Sequence, residues 1–170
     1  ESDVINRVIN LVGSYFFTKY TVSDRKILFQ EMDKLLGFES VKSQSINEEL
    51  SYNQLQKELS SINEKGVNRK VKGVYYTPHD LVRFVTINLY KMACNKLKPN
   101  NLHILDLNGI PYNQLCYEKS VFDPTCGAGE FLMVALDLKL DLLELHHENI
   151  TAGKLAKVVN TIYGNDINEE

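Results

Sequence analysis

Cysteine is scarce in this chain of 170 residues, and its spacing excludes the commonest roles for it. Cys94, Cys116 and Cys126 are odd in number, far apart and without a C-x-x-C pair, so neither a disulfide framework nor a zinc site is expected. Long apolar runs are missing too. No stretch is long enough to span a bilayer, no secretory signal is visible, and a reducing cytoplasm is the expected location. Positive charge is not in excess: 19 basic residues stand against 22 acidic ones, for a formal net charge of −3. That balance argues against a freestanding basic nucleic-acid binder, although not against a piece of a larger one. Proline occurs only at positions 78, 99, 111 and 124, never twice in succession.

What is present suffices for one respectable core, or one core with a small appendage, at 44% hydrophobic content. The first part reads as helical. Val4, Val8, Leu11, Val12 and Tyr15 share a helical face, and so do Leu28, Met32, Leu35 and Leu36 behind a Ser23 cap, with Gly37 as a stop. A polar interval follows, and then Tyr52, Leu55, Leu59 and Ile62 mark a third amphipathic helix ending at Gly66. All three stripes read as core packing. Between Lys65 and Lys72 the acids vanish while Lys65, Arg69, Lys70 and Lys72 accumulate beside Gly66 and Gly73, which marks the best domain boundary. A solvated linker is the favoured reading of that segment, and phosphate contact is its alternative.

Beyond the boundary, Thr77 suits a helix N-cap, Pro78 the first helical position and Asp80 the positive helix end. Leu81, Val82, Phe84, Val85, Leu89 and Met92 are the expected buried face of a helix reaching about Asn95. The segment from Leu102 to Tyr117 imitates a cofactor loop at Ile104-Leu105-Asp106-Leu107-Asn108-Gly109 but has a single glycine. Asn108-Gly109 is a turn signal, so a hairpin or irregular insert is expected there.

The nine residues Phe122-Asp123-Pro124-Thr125-Cys126-Gly127-Ala128-Gly129-Glu130 carry the most specific signal. An apolar run ends in an acid, passes a proline and two glycines, and enters a leucine-rich stretch. That order describes a strand, a tight turn and a helix N-terminus, where free N–H groups face a ligand that the glycines let approach. Phe131, Val134, Ala135, Leu138, Leu142 and Leu145 supply the apolar stripe of the following helix. His146 and His147 diverge by about 100° on a helix and are not taken as metal ligands. A short helix near Ala152 to Val159 then leads to a strand that ends at Asp166 and Ile167.

The turn resembles motif I of the amino-methylating DNA methyltransferases, the S-adenosylmethionine (AdoMet) site of the adenine-N6 enzymes in type I and type IIG restriction-modification systems. Tyr75-Tyr76-Thr77-Pro78 resembles motif X of the same family, which precedes motif I and closes over the cofactor. The third match is Tyr163-Gly164-Asn165-Asp166, in the family's order. The resemblance is close from Gly73 onward and loose before it. It implies an α/β fold: an N-terminal helical domain with a basic linker over 1–72, then over 73–170 the first part of a Rossmann-like AdoMet-dependent methyltransferase domain. The implied cofactor-binding residues are Tyr75, Tyr76, Thr77, Asp123, Pro124, Cys126, Gly127, Gly129, Asp166 and Ile167. Asp123 would serve the amino-acid end of AdoMet and Asp166 its ribose hydroxyls. Cys126 would contribute small size and backbone rather than thiol chemistry.

Two departures limit what the resemblance carries over. Asp166 lies farther past motif I than a minimal Rossmann unit allows, so extra structure must intervene. The family's catalytic tetrapeptide, [NDS]-P-P-[YFW], needs two adjacent prolines, and this sequence has none. The chain is therefore expected to be an N-terminal fragment that holds cofactor without methylating. The intact protein would act on adenine N6 in double-stranded DNA, with specificity and restriction subunits or fused domains as partners and no metal. The alternatives are an amino-methyltransferase acting on protein glutamine or RNA, and a non-catalytic helical interaction or DNA-contacting module.

Overall fold

The computed structural model describes residues 77–127 and 129–166 together with Leu11, Tyr15, Lys19, Ser51, Tyr52, Gln54, Leu55 and Glu58. The chain divides into two compact units, Glu1–Val74 with Ile150–Gly153, and Tyr75–Asn149 with Lys154–Glu170. The basic segment 65–72, the stripe from Leu28 to Leu36, Tyr75, Tyr76 and Ile167 all lie outside the described residues.

In the first unit, Leu11, Tyr15 and Lys19 are helical and four residues apart, hence on one face. Tyr15 is buried, the Lys19 ammonium lies 5.8 Å from its ring centroid, and Tyr52 meets it edge-on at 6.1 Å. Ser51 begins the segment that carries Tyr52 and the buried Leu55. Its hydroxyl accepts from the Gln54 N–H at 3.3 Å, and its own N–H donates to Gln54 Oε1 at 2.8 Å. This reciprocal pair satisfies two amides that a helix start otherwise orphans.

The second unit is a mixed α/β arrangement. Helix α1 (His79–Ala93) precedes a 3₁₀ turn (Pro99–Asn101) and a π-helical turn (Gln114–Glu118). Then come strand β1 (Val121–Asp123), helix α2 (Glu130–Leu145), helix α3 (Ala152–Val159, of which Ala152 and Gly153 are counted in the first unit) and strand β2 (Ile162–Gly164). The strands pair in parallel, Val121 with Ile162, Phe122 with Tyr163 and Asp123 with Gly164. A parallel pair requires a crossover connection, and here α2 and α3 together supply it. Two helices in the crossover account for the long interval between the glycine turn and Asp166.

The cap of α1 differs from expectation by one residue. Pro78 occupies the N-cap with φ −53° and ψ 136°, its carbonyl accepts from the Leu81 and Val82 N–H groups, and no side chain caps the helix. The buried face differs more. Val82, Thr86, Ile87, Tyr90 and Lys91 turn inward, whereas Leu81, Phe84, Leu89 and Met92 are exposed. The polar members can be buried because each finds a backbone carbonyl. Thr86 donates to Val82 at 2.8 Å, Tyr90 donates to Ala135 at 2.7 Å, and the Lys91 ammonium donates to the carbonyls of Asn101 and Ile104. Hydropathy picks Leu81, Phe84, Leu89 and Met92 for the buried face and leaves Thr86, Tyr90 and Lys91 out of it.

Between Leu102 and Tyr117 the Asn108-Gly109 turn forms, with Gly109 at φ 74° and the Asn108 N–H donating to Asp106 Oδ1 at 3.0 Å. No strands flank it, and the segment continues into the π-helical turn rather than a hairpin.

Helix α2 is buried on nearly every side from Val134 to Leu143, including Asp137 and Lys139, while Leu145 is exposed. It is thus enclosed on most sides rather than along one apolar stripe, with polar Asp137 and Lys139 among the enclosed positions. It contacts both strands. The opposite sheet face presents Phe122 and Tyr163, 63% and 52% exposed. At the helix end, His146 caps α2 and stacks on Tyr112 with ring centroids 4.5 Å apart. Among the described residues, no helix is long and apolar enough to cross a membrane.

Candidate functional site

The site begins where the two strands end. Asp123 closes β1, and its Oδ1 accepts from the Thr125 N–H at 3.1 Å, which turns the chain sharply through the exposed Pro124. Gly127 and Gly129 follow at φ 52° and 80°, a left-handed region that a residue with a Cβ enters only under strain. The Gly129 N–H donates to the Cys126 carbonyl at 2.8 Å, and the Gly129 carbonyl accepts from Met133 at 2.8 Å as α2 begins. No side chain caps α2 at this end. Among the described residues, nothing lies within 4 Å of where a Cβ would stand on Gly127 or Gly129, so none of them crowds the turn.

The loop leaving β2 is stitched to this turn. The Asn165 N–H donates to the Asp123 carbonyl at 2.9 Å, and the Cys126 N–H donates to the Asn165 carbonyl at 2.9 Å. The Gly127 N–H then donates to Asp166 Oδ2 at 2.7 Å, across 39 residues of sequence. The acid at the tip of the second strand and the glycine corner therefore meet at one point. Charge-assisted hydrogen bonds of this kind are short and strong.

Cys126 sits half-buried between the acids. Burial, then the Asp123 and Asp166 carboxylates, push its thiol up from the ordinary value. That is opposite to what an activated nucleophile needs.

Thr77 reaches the same place from the upstream side. Its N–H donates to Glu130 Oε2 at 3.1 Å, one residue beyond Gly129. Of the residues singled out from sequence, Thr77, Asp123, Pro124, Cys126, Gly127, Gly129 and Asp166 gather around the strand tips. Tyr75, Tyr76 and Ile167 lie outside the described residues.

Three participants stand within the motifs read from sequence but are given no role there. Glu130 holds Thr77, and Asn165 supplies both stitches from its backbone. Gly164 is required by contact rather than by φ: a Cβ there would stand 2.5 Å from Leu132 Cδ1 and 3.0 Å from Cys126 Sγ. The only sequence signal for Gly164 was a glycine two residues ahead of Asp166, where a side chain would normally be tolerated.

No family model, curated protein or solved structure matches this chain.

The turn nonetheless fits a ligand of the expected kind. Two glycines that no described residue crowds admit a polar chain close to the backbone, and an uncapped helix start offers N–H donors to a carboxylate. The Asp166 carboxylate has lone pairs enough to accept hydroxyls in addition to the Gly127 N–H.

Proposed function

We propose that the second unit is the opening of a Rossmann-like AdoMet-binding domain, belonging to a site-specific DNA methyltransferase that modifies adenine N6 in a restriction-modification system. The observation that carries this reading is the Gly127 N–H bond to Asp166, which joins the glycine turn to the acid expected to hold the ribose. In this reading Gly127 and Gly129 let the methionine portion pass over the turn, and the start of α2 receives its carboxylate. Asp123 would pair with the ammonium. Asp166, oriented by Gly127, accepts from the ribose hydroxyls. The bound sulfonium supplies an already activated methyl group, so the chain's own task is positioning and electrostatics.

No residue here is assigned a catalytic role, since the sequence holds no adjacent prolines for the tetrapeptide that receives a flipped adenine. The choice of adenine in double-stranded DNA, with specificity and restriction partners, rests on the order of the three motifs. The Tyr-Tyr-Thr-Pro segment upstream of the turn favours the DNA class over methylation of protein glutamine or RNA.

Calorimetric titration of the chain with AdoMet tests the reading. Binding that is weakened at least about tenfold by Asp166→Ala, and again by Gly127→Val, is the expected result, a loss of about 1.4 kcal/mol or more each. Wild-type affinity in both variants overturns the site assignment.

A further inference from the structure

Glu130 stands where an acid can serve two different ends. At the first position of α2 its charge favours the positive helix end whatever its side chain touches. Its Oε2 also accepts a hydrogen bond at 3.1 Å from the backbone N–H of Thr77, 53 residues upstream and in part-buried surroundings. Thr77 lies just outside α1, and Pro78 after it has no N–H, so this amide is the last donor before the helix and has no helical acceptor. Glu130 in turn follows Gly129, whose φ of 80° sets the direction in which α2 and its first side chain leave the turn.

We propose that Glu130 is a positioning residue, which latches the entry of α1 onto the start of the helix that follows the glycine turn and so sets the upstream wall of the cofactor site. The inference rests on the AdoMet reading above and adds to it the means by which the upstream segment is registered on the turn. The latch acts locally. Helix α1 is held to α2 independently by the buried Tyr90 hydroxyl on the Ala135 carbonyl at 2.7 Å, and by Arg83 facing Asp141 at 3.9 Å. Loss of the Glu130 contact therefore frees the Thr77 end without unfolding the pair.

Two substitutions separate the latch from the helix charge. Glu130→Asp keeps the negative charge at the helix start but shortens the side chain by one methylene, about 1.5 Å, beyond hydrogen-bond reach of Thr77. Glu130→Gln keeps the reach and an acceptor oxygen but discards the charge. Hydrogen exchange at the Thr77 amide and AdoMet titration are measured on the full chain for wild type and both variants.

In Glu130→Asp, Thr77 exchange accelerates about tenfold and AdoMet binds about tenfold more weakly, while Glu130→Gln stays within about twofold of wild type on both. The reverse pattern, with the Gln variant impaired and the Asp variant normal, overturns the proposal in favour of helix charge. Faster Thr77 exchange with unchanged AdoMet affinity overturns the positioning role. If wild type binds no AdoMet, the methyl-donor reading fails and the cofactor role of Glu130 with it, while Thr77 exchange in Glu130→Asp still reports separately whether the latch exists.

Discussion

The two ends of the β1–β2 pair are held by opposite means. Below the strand starts, the fully buried Lys139 ammonium donates to the Lys119 carbonyl at 2.7 Å and to Thr161 Oγ1 at 2.6 Å. The Thr161 hydroxyl in turn donates to the Val158 carbonyl at 2.6 Å, so one cation joins α2, the approach to β1 and the end of α3. Cys116 Sγ donates to the Lys139 carbonyl at 3.3 Å in the same buried layer. Above the strand tips, no comparable side-chain hub forms among the described residues. Backbone amides, glycines and half-exposed carboxylates make the connections there. The buried end fixes the strands, and the open end carries the donors and acceptors that the proposed cofactor would use. Rigid scaffold beneath and polar loop above is the usual division of labour in α/β sites.

The largest expected effect lies at the buried end. Lys139→Ala removes a long side chain from a filled core and strands two acceptors, and should lower unfolding free energy by about 3 kcal/mol in urea titration. Lys139→Met keeps the volume and removes the desolvated charge, so it should cost clearly less. Equal losses in the two variants would show that the hydrogen bonds, not the packing, dominate this hub.

Next comes the open end. Gly164→Ala forces Leu132 and Cys126 to move, at a cost of about 1–3 kcal/mol. It should also weaken AdoMet binding more than Lys139→Met does, because Cys126 belongs to the turn. If Gly164→Ala leaves both stability and binding intact, the close contact beneath the turn is not what shapes it.

The smallest effect is a pH dependence whose rise comes from the buried end, while at the open end the raised Cys126 thiol adds only to the decline at high pH. Burial lowers the Lys139 pKa from 10.5 to about 8. From pH 8 toward 10.5 the unfolded chain therefore holds this proton more than the folded one, and stability rises with pH. Burial raises the Cys116 thiol from 9.0 to about 12, so above pH 9 the unfolded chain loses that proton first and stability falls. The sum is a rise from about pH 8 to 9 that flattens beyond. Lys139→Met should abolish the rise and keep the decline. A rise that persists in Lys139→Met assigns it to another group.

How much of this was legible beforehand varied by element. The strand ending at Asp123, the glycine turn, the helix after it, the short helix near Ala152 and the strand before Asp166 all follow from local rules of turn chemistry and periodicity. The inward face of α1 did not. Thr86, Tyr90 and Lys91 score as polar, and only the carbonyls of Val82, Ala135, Asn101 and Ile104 make their burial tolerable. Lys139 escaped notice for the same reason. The roles of Glu130 and Gly164 escaped because their partners lie 53 and more than 30 residues away.

By itself the sequence determined the chemistry available at the turn: two glycines able to adopt positive φ, an acid ending the first strand, another just past the second, and a helix start directly after the glycines. These are properties of residue type and order, which a chain carries into any fold. Tertiary structure alone decided that Asp166 meets Gly127, that Thr77 is held by Glu130, and that a lysine can sit in the core. Each depends on pairing groups remote in sequence. A buried polar atom is tolerable only when a particular partner stands within about 3 Å of it.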